Sequence, residues 1–514
     1  MRAYGKQSKR NSASKTQPRE VELKMELASG TADALLAHPL LAKARPLPEQ
    51  GGQFHATYFD TGDRALKRKG ISLRIRRRKD GAIQTIKAEG RHRGLALERG
   101  EWETPVDGAL DLTAAAGTPL EKLLSDEALR ADIKPAFTVE TDRRAFEMEF
   151  DGALIEVALD NARAIGGDKT AAFSEVELEL RQGDAAALFG LARCLSESAP
   201  LRLSTMAKSE RGYRLLETQP ASPVRAEPVA LAKDATCAEA FKAIARSCLS
   251  QAVRNEVLVR QTQDPAALHQ MRVGLRRLRA AVSLFGKHLL SDPESDAVRS
   301  DLRWAGQTLG AARDLDVLLA RIRSTEASGD GPSQAGAVER QRARAYEELL
   351  ETLHSRRFMD VILQTAAWIE AGAWTVSDRK AMRKARKHPV RDFASDELSR
   401  RFKRIRKLGE HLRALSDAER HGLRIRIKKL RYGTEFFAPL FSSTKARKRS
   451  KEMAGILEDL QETLGELNDL TVGGSLTRFL PETSPERMER QRRKLLDASE
   501  AAAIALAKAD PFWR

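Results

Sequence analysis

The chain is poor in sulfur, poor in aromatics and without a long apolar run, and each shortage removes a class of protein. Three cysteines in 514 residues, Cys194, Cys237 and Cys248, show neither metal-ligand nor redox spacing. Reduced core thiols in a cytoplasmic protein are the expectation, not a disulfide-stapled secreted fold. No stretch approaches the roughly 18 apolar residues that a membrane span needs. Met1 to Arg19 is basic and polar with no apolar segment, which predicts a disordered tail over 1–17 and not a secretory signal. Aromatic residues make up 5% of the chain, and few stand beside the arginine runs, so a single-stranded nucleic acid finds little to stack on. No recognition helix, zinc motif or RNP-like segment is present, so specific nucleic-acid recognition is not expected.

What the chain does hold is charge. Asp, Glu, Lys and Arg are 31% of the residues, with a formal net charge of +17. The excess is uneven: residues 1–220 carry +2 and the remainder +15. The change falls at a proline-rich stretch, Pro220, Pro223 and Pro228, which predicts a linker over 217–234. The length suggests two to four domains, each with its own core. The basic excess marks an anionic partner for the second half specifically.

The first half alternates charge and grease at period two. In Glu20-Val21-Glu22-Leu23-Lys24 a strand sets Glu20, Glu22 and Lys24 on one face, with Val21, Leu23 and Met25 behind. Carboxylates roughly 7 Å apart repel by about 2 kcal/mol at an effective dielectric near 20, and a hard cation between them removes that cost. Arg74, Arg76 and Arg78 form a basic row, backed by Leu73 and Ile75, and Lys87 stands in a similar stretch. Arg99, Glu101 and Glu103 form a mixed row, while Glu156 with Asp160, and Glu175 with Glu177 and Glu179, form acidic ones. Like charges in a row are unfavourable on an ordinary wet sheet face. A sheet curled into a barrel would bring Glu rows and Arg rows into one lumen suited to a metal–polyphosphate complex.

Taken together, these segments resemble the CYTH family, the triphosphate tunnel metalloenzymes. The carriers are Glu20-x-Glu22-x-Lys24, Leu73-Arg74-Ile75-Arg76, Gln84-Thr85-Ile86-Lys87, Thr141-x-Arg143-x-x-Phe146, Ile155-Glu156-x-x-x-Asp160, Glu175-x-Glu177-x-Glu179, and Ser204 to Tyr213 with Lys208 and Gly212. The resemblance covers residues 18–216. It implies an eight-stranded antiparallel barrel open at both ends, hydrolysing triphosphates with Mg2+ or Mn2+. On that reading Glu20, Glu22, Glu175, Glu177 and Glu179 are the candidate metal ligands. Arg74, Arg76, Lys87, Arg143 and Lys208 are the candidate phosphate grips, assisted by Lys24, Arg78 and Arg99. Lys24, Glu101, Glu103, Glu156 and Asp160 are candidates for catalysis, through a second metal or the attacking water. His55 and His92 are isolated and read as structural.

From 235 to about 508 the period changes to 3.6, and the sequence repeats itself. His269 to Arg279 reappears 152 residues later as His421 to Arg431, and Leu309-Gly310-x-x-Arg313-Asp314-Leu315-x-Val317 as Leu464-Gly465-x-x-Asn468-Asp469-Leu470-x-Val472. At about 100° per residue, His269, Arg272, Arg276 and Arg279 fall in one stripe, with Met271, Leu275 and Leu278 on the opposite side. His421, Arg424, Lys428 and Arg431 make the same stripe, backed by Leu423, Ile427 and Leu430. A pseudo-symmetric bundle would set the two stripes side by side in one basic groove.

These stripes resemble the CHAD domain, an α-helical domain found fused to CYTH domains, which implies binding of inorganic polyphosphate. Asn468 stands where the first copy has Arg313, so the halves need not bind equally. The runs Arg383–His388 and Arg400–Lys407 are candidates to extend the groove, while Lys445–Arg449 reads as a solvated loop or helix end. The expected architecture is α+β in two domains. A tunnel barrel with flanking helices is followed by an all-α bundle with an internal pseudo-two-fold repeat. Inorganic triphosphate hydrolysis is the leading activity. A thiamine triphosphatase, an adenylate cyclase or an inactive polyphosphate scaffold are the alternatives.

Overall fold

A computed structural model describes residues 19–28, 30–89, 95–217, 221–326, 335–471 and 485–514. The tail over 1–17, His92, Val472 and residues 218–220 of the linker lie outside them. Among the described residues the first half holds ten strands: β1 Arg19–Leu27, β2 Arg45–Pro46, β3 Gly52–Asp60, β4 Ile71–Arg78, β5 Gly81–Glu89, β6 Leu97–Val106, β7 Lys134–Phe150, β8 Ala153–Gly166, β9 Lys169–Gln182 and β10 Leu201–Ser204. Eight of them form a ring in the order β1, β6, β5, β4, β3, β7, β8, β9, closed by pairing of β9 with β1. Every pairing in the ring is antiparallel. β10 adds to β1, and β2 to β7.

The period-two pattern decides which way each strand faces. On β1, β4, β8 and β9 the charged alternates point into the lumen and the apolar ones point out, whereas Phe54, Ala56 and Tyr58 of β3 point inward. A barrel with grease outside must be covered. Leu23, Met25, Ile155, Val157, Leu159, Val176 and Leu178 are buried beneath the helix Ala186–Leu195 and the C-terminal half. On the other flank Leu73 and Ile86 pack with Leu66, Ile71, Ala115 and Leu120.

The helix Lys208–Leu216 covers one end of the barrel. Tyr213 meets Phe137 edge-on, Phe137 stacks on Tyr58, and the Tyr213 hydroxyl donates to Asp60 at 2.6 Å. A side chain at Gly212 would strike the Phe137 ring at 2.1 Å, so only glycine lets the helix lie this close. The tunnel expected to be open at both ends is therefore narrowed at this one.

The second half is helical. The two stripes lie on Pro265–Leu289 and Asp417–Phe437, and their expected core faces are fully buried. Asp264 caps the first, and a capping box of Ser416 and Glu419 starts the second. At Gly274 an added Cβ would meet the backbone of Cys248 and Ala252 at 2.9 Å, so glycine sets the close packing of this helix on Cys237–Thr262. The second members of the repeat differ. The chain breaks at Leu309, between Pro293–Thr308 and Gly310–Glu326, whereas the second copy is one helix, Thr444–Thr471.

Separate cores were expected, but one hydrophobic cluster runs from Leu23 and Phe189 to Phe241 and Phe358. The outward grease of β1, β8 and β9 is covered by the helix Ala186–Leu195 and, through the same cluster, by the C-terminal half. Around this seam Glu26 of β1 meets Arg260 at 2.9 Å and Arg211 at 3.2 Å, and Arg202 of β10 pairs with Glu256 and donates to the Leu353 carbonyl at 2.9 Å. Burial holds the Glu256 carboxyl above its ordinary range despite Arg202 and Arg260, and holds Arg202 below its own. Such a pair adds little net stability, yet losing one member leaves a buried charge. Glu256→Ala is thus expected to destabilise the whole chain by about 3 kcal/mol, read as a lower midpoint of a single calorimetric transition. Two separated transitions would contradict the shared core.

Candidate active site in the barrel lumen

The lumen is a cavity of about 240 Å3 lined by Glu20, Glu22, Lys24, Arg74, Arg76, Lys87, Arg99, Glu101, Glu103, Arg143, Glu156, Glu177, Glu179 and Lys208. Asp160 and Glu175 lie just behind that lining and are buried. Strand order gives the lumen its polarity. β4 and β9 are four strands apart whichever way the ring is followed, so the Arg74–Arg76 row lies diametrically opposite the Glu175–Glu177–Glu179 row.

At the helix-covered end three acids meet four cations, Lys24, Arg143, Lys208 and, 3.6 Å from Glu175, Arg211. Asp160, Glu175 and Glu177 each place an oxygen within 4.8 Å of the other two. Lys208 reaches all three at 2.6–2.7 Å, Arg143 reaches Asp160 at 2.6 Å and Glu177 at 2.5 Å, and Lys24 pairs with Glu177. Burial alone would raise Asp160, but Lys208 and Arg143 hold it well below the usual carboxylate range. Lys24 is pushed down to about 7, first by burial and then by Lys208.

Toward the other end the acids outnumber their partners. Lys87 bonds Glu20 at 2.7 Å and Glu101 at 3.0 Å, Arg99 pairs with Glu22, and Arg181 bridges Glu156 and Glu179. Glu22, Glu179 and Glu156 stand at one level on adjacent strands. Burial, with Glu20 and Glu156 adding to it, pushes Glu179 up to about 7. This is where a further positive charge is most needed. All the donors are carboxylate oxygens, so the residues fit a hard divalent cation and not a thiolate-seeking one.

The basic wall has capacity to spare. The Nε atoms of Arg74, Arg76 and Arg99 are buried without a hydrogen-bond partner among the described residues. Arg74 is met by the Tyr58 hydroxyl at 3.4 Å, and Arg76 reaches Glu103 at 3.3 Å. Burial and Arg74 push Arg76 down to about 10. Arg78 is not in the lining; it donates to the Glu49 carbonyl at 2.6 Å and covers the Phe54 ring. His55 is exposed on the outer face of β3, opposite in phase to Phe54 and Ala56.

Arg181, Phe54 and Tyr58 are among the lining residues that the reading of charge rows missed. Arg181 continues the β9 row two residues beyond Glu179, so its spacing was a usable signal. Phe54 and Tyr58 sit on β3, whose inward row is uncharged and gave none.

In the helical domain the two stripes do converge. Arg276 donates to the Tyr432 hydroxyl of the second helix at 2.9 Å. Burial, then Arg424, Arg276 and Arg431, push Lys428 down to about 8. Arg272 lies against Gly310 and Arg424 against Gly465, so the two pairs of repeated segments keep the same partnership in both copies. The copies differ where expected. His421 bonds the Asn468 side chain at 2.9 Å, whereas burial and Arg313 hold His269 below its ordinary range. Among the additional basic runs, Arg401 acts on Lys429 near Arg279, while Arg449 turns away to Asp510.

Comparison with known proteins finds both halves. The CYTH domain matches residues 18–213 and the CHAD domain matches residues 243–478. An inorganic triphosphatase of Haemophilus influenzae is 28% identical over 197 residues, 38% of this chain and 54% of that protein, so the chain spans about half of that relative's length. The CHAD domain from the plant Ricinus communis is 31% identical over 55% of this chain and 96% of its own, with a TM-score of 0.44. A protein from Hippeastrum, described as an adenylyl cyclase candidate with a dominant triphosphatase activity, is 19% identical over 39% of this chain and 98% of its own, with a TM-score of 0.30. With a closed eight-stranded barrel carrying the first match and a helical bundle the second, the chain belongs to the CYTH–CHAD proteins, an N-terminal CYTH domain followed by a C-terminal CHAD domain.

Proposed function

We propose that the lumen hydrolyses inorganic triphosphate to pyrophosphate and phosphate with Mg2+ or Mn2+, and that the helical domain binds inorganic polyphosphate. The observation that carries the first reading is the diametric opposition of an arginine row and a glutamate row across one small polar lumen. Arg74, Arg76, Lys87, Arg143 and Lys208 hold phosphate oxygens. Glu20, Glu22 and Glu179, with Glu156 beside them, would hold the cation, while Glu177 and, behind the lining, Glu175 stand at the cation-balanced end. A divalent cation held by these carboxylates would supply positive charge against the phosphates. Glu101 and Glu103 stand near the phosphate grips and orient the attacking water, whose oxygen bonds to the terminal phosphorus as the bridging P–O bond breaks. Lys24, between Glu22 and Glu177, fixes the relative position of the two acidic groups.

Inorganic triphosphate is favoured over an organic one by what the aromatics do. The Phe54 ring is covered by Arg76 and Arg78, and Tyr58 is stacked on Phe137. Both rings are buried and already partnered, which leaves little aromatic surface for a base or a thiazole. Phosphate release from triphosphate, ATP, thiamine triphosphate and long-chain polyphosphate, each with Mg2+, Mn2+ or chelator, tests the reading. Metal-dependent turnover chiefly of triphosphate is expected. Cyclic nucleotide from ATP would make the barrel a cyclase, and no turnover would leave a polyphosphate-binding scaffold.

The helical domain carries its own pH signature. Bound polyphosphate stabilises the protonated form of Lys428 and raises its pKa from about 8. Binding then takes up a proton, so affinity is full below pH 8 and declines as the pH rises above it. Titration calorimetry between pH 7 and 9 is expected to show this decline, and Lys428→Arg to flatten it.

A further inference from the structure

Outside the lumen, one other group of ligating side chains comes together among the described residues. Cys237, His288 and His388 each place one ligand atom within 4.8 Å of the other two. Cys237 opens the helix Cys237–Thr262, His288 lies in the last turn of Pro265–Leu289, and His388 follows the helix Lys380–Lys387. The backbone fixes two of the three against each other. The Cys237 N–H donates to the His388 carbonyl at 2.8 Å, and the Val390 N–H to the Ala235 carbonyl at 2.9 Å.

The ring nitrogens supply a second, independent observation. His288 Nε2 and His388 Nδ1 are buried without a hydrogen-bond partner among the described residues, although buried polar atoms are nearly always satisfied. The two imidazoles are 5.2 Å apart and tilted by 48°, and His288 rests on Phe393 at 4.9 Å.

We propose that Cys237, His288 and His388 bind one Zn2+ ion, with water in the fourth position, as a structural staple of the helical domain. Two imidazoles and a thiolate suit a borderline ion, while the all-carboxylate lumen suits a hard one. Binding breaks the Cys237 S–H bond, forms S–Zn and releases the proton to solvent. Burial pushes the free thiol up to about 12, so the metal-free protein holds it protonated and loading releases one proton. The staple ties the start of the domain, just after the linker, to helices far away in sequence. It serves neither phosphate site.

The test uses the full-length protein stripped with chelator and refilled with Co2+ in excess Mg2+. One equivalent of Co2+ is expected to give a thiolate-to-metal charge-transfer band that Zn2+ abolishes by displacement, and Zn2+ is expected to raise the melting temperature. Cys237→Ser removes the band, Cys194→Ser keeps it, and His388→Gln weakens Zn2+ binding by about 100-fold. A folded wild-type protein without the band, or a band that survives Cys237→Ser, overturns the proposal. Should Cys237→Ser fail to fold, His388→Gln with a native circular-dichroism spectrum and undiminished Zn2+ affinity overturns it equally.

Discussion

Glu22→Gln is expected to lower the kcat of triphosphate hydrolysis by about 10²–10³-fold, the range for removing one preorganised electrostatic group. Glu22 is buried, pairs with Arg99 and Lys24, and faces Glu179 in register. Gln keeps the shape but removes the charge a hard cation needs. The loss should fall on kcat and on activation by Mg2+ or Mn2+, since the arginine wall still holds substrate. A factor of 10³ is about 4 kcal/mol of transition-state stabilisation. Turnover at the wild-type rate, with an unchanged melting temperature, would remove the metal assignment and move attention to Asp160, Glu175 and Glu177.

The second large effect is expected from the double variant Arg276→Glu, Lys428→Glu. Long-chain polyphosphate should bind about 100-fold more weakly at low salt, and the slope of log affinity against log salt should flatten as fewer counterions are released. These residues come from different helices, and Arg276 acts on Lys428 directly, so reversing both breaks the groove at its centre. Triphosphate hydrolysis should stay at the wild-type rate, because neither residue reaches the lumen. Lys445→Glu with Lys448→Glu is the control. Both are exposed, and affinity should hold within about twofold. An equal loss in this control would reduce the groove to general positive charge, and undiminished binding in the first variant would remove it.

Much of this could be read from the chain because period and charge are local properties. The alternation of Glu20 to Lys24, Leu73 to Arg78 and Glu175 to Leu180 says which residues share a face wherever the strand ends up. The 152-residue repeat likewise pairs His269 with His421 before any packing is known. Isolated uncharged or single residues carry no such pattern. Phe54 and Tyr58 line the lumen only because β3 closes the ring between β4 and β7. Cys237, His288 and His388 are separated by too many residues for spacing to associate them.

The sequence by itself determined the change of period between the two halves, the internal repeat and nearly every charged residue of the lumen, because period, charge and self-similarity are read along the chain. The eight-stranded barrel followed from the resemblance to the CYTH family. The tertiary structure alone decided that arginine faces glutamate across the ring, which acids are already balanced by Lys24, Arg143 and Lys208, and that the two domains share a core. Those are properties of ring closure and of which buried surfaces must cover one another. They depend on contacts between residues far apart in the chain, which no local pattern encodes.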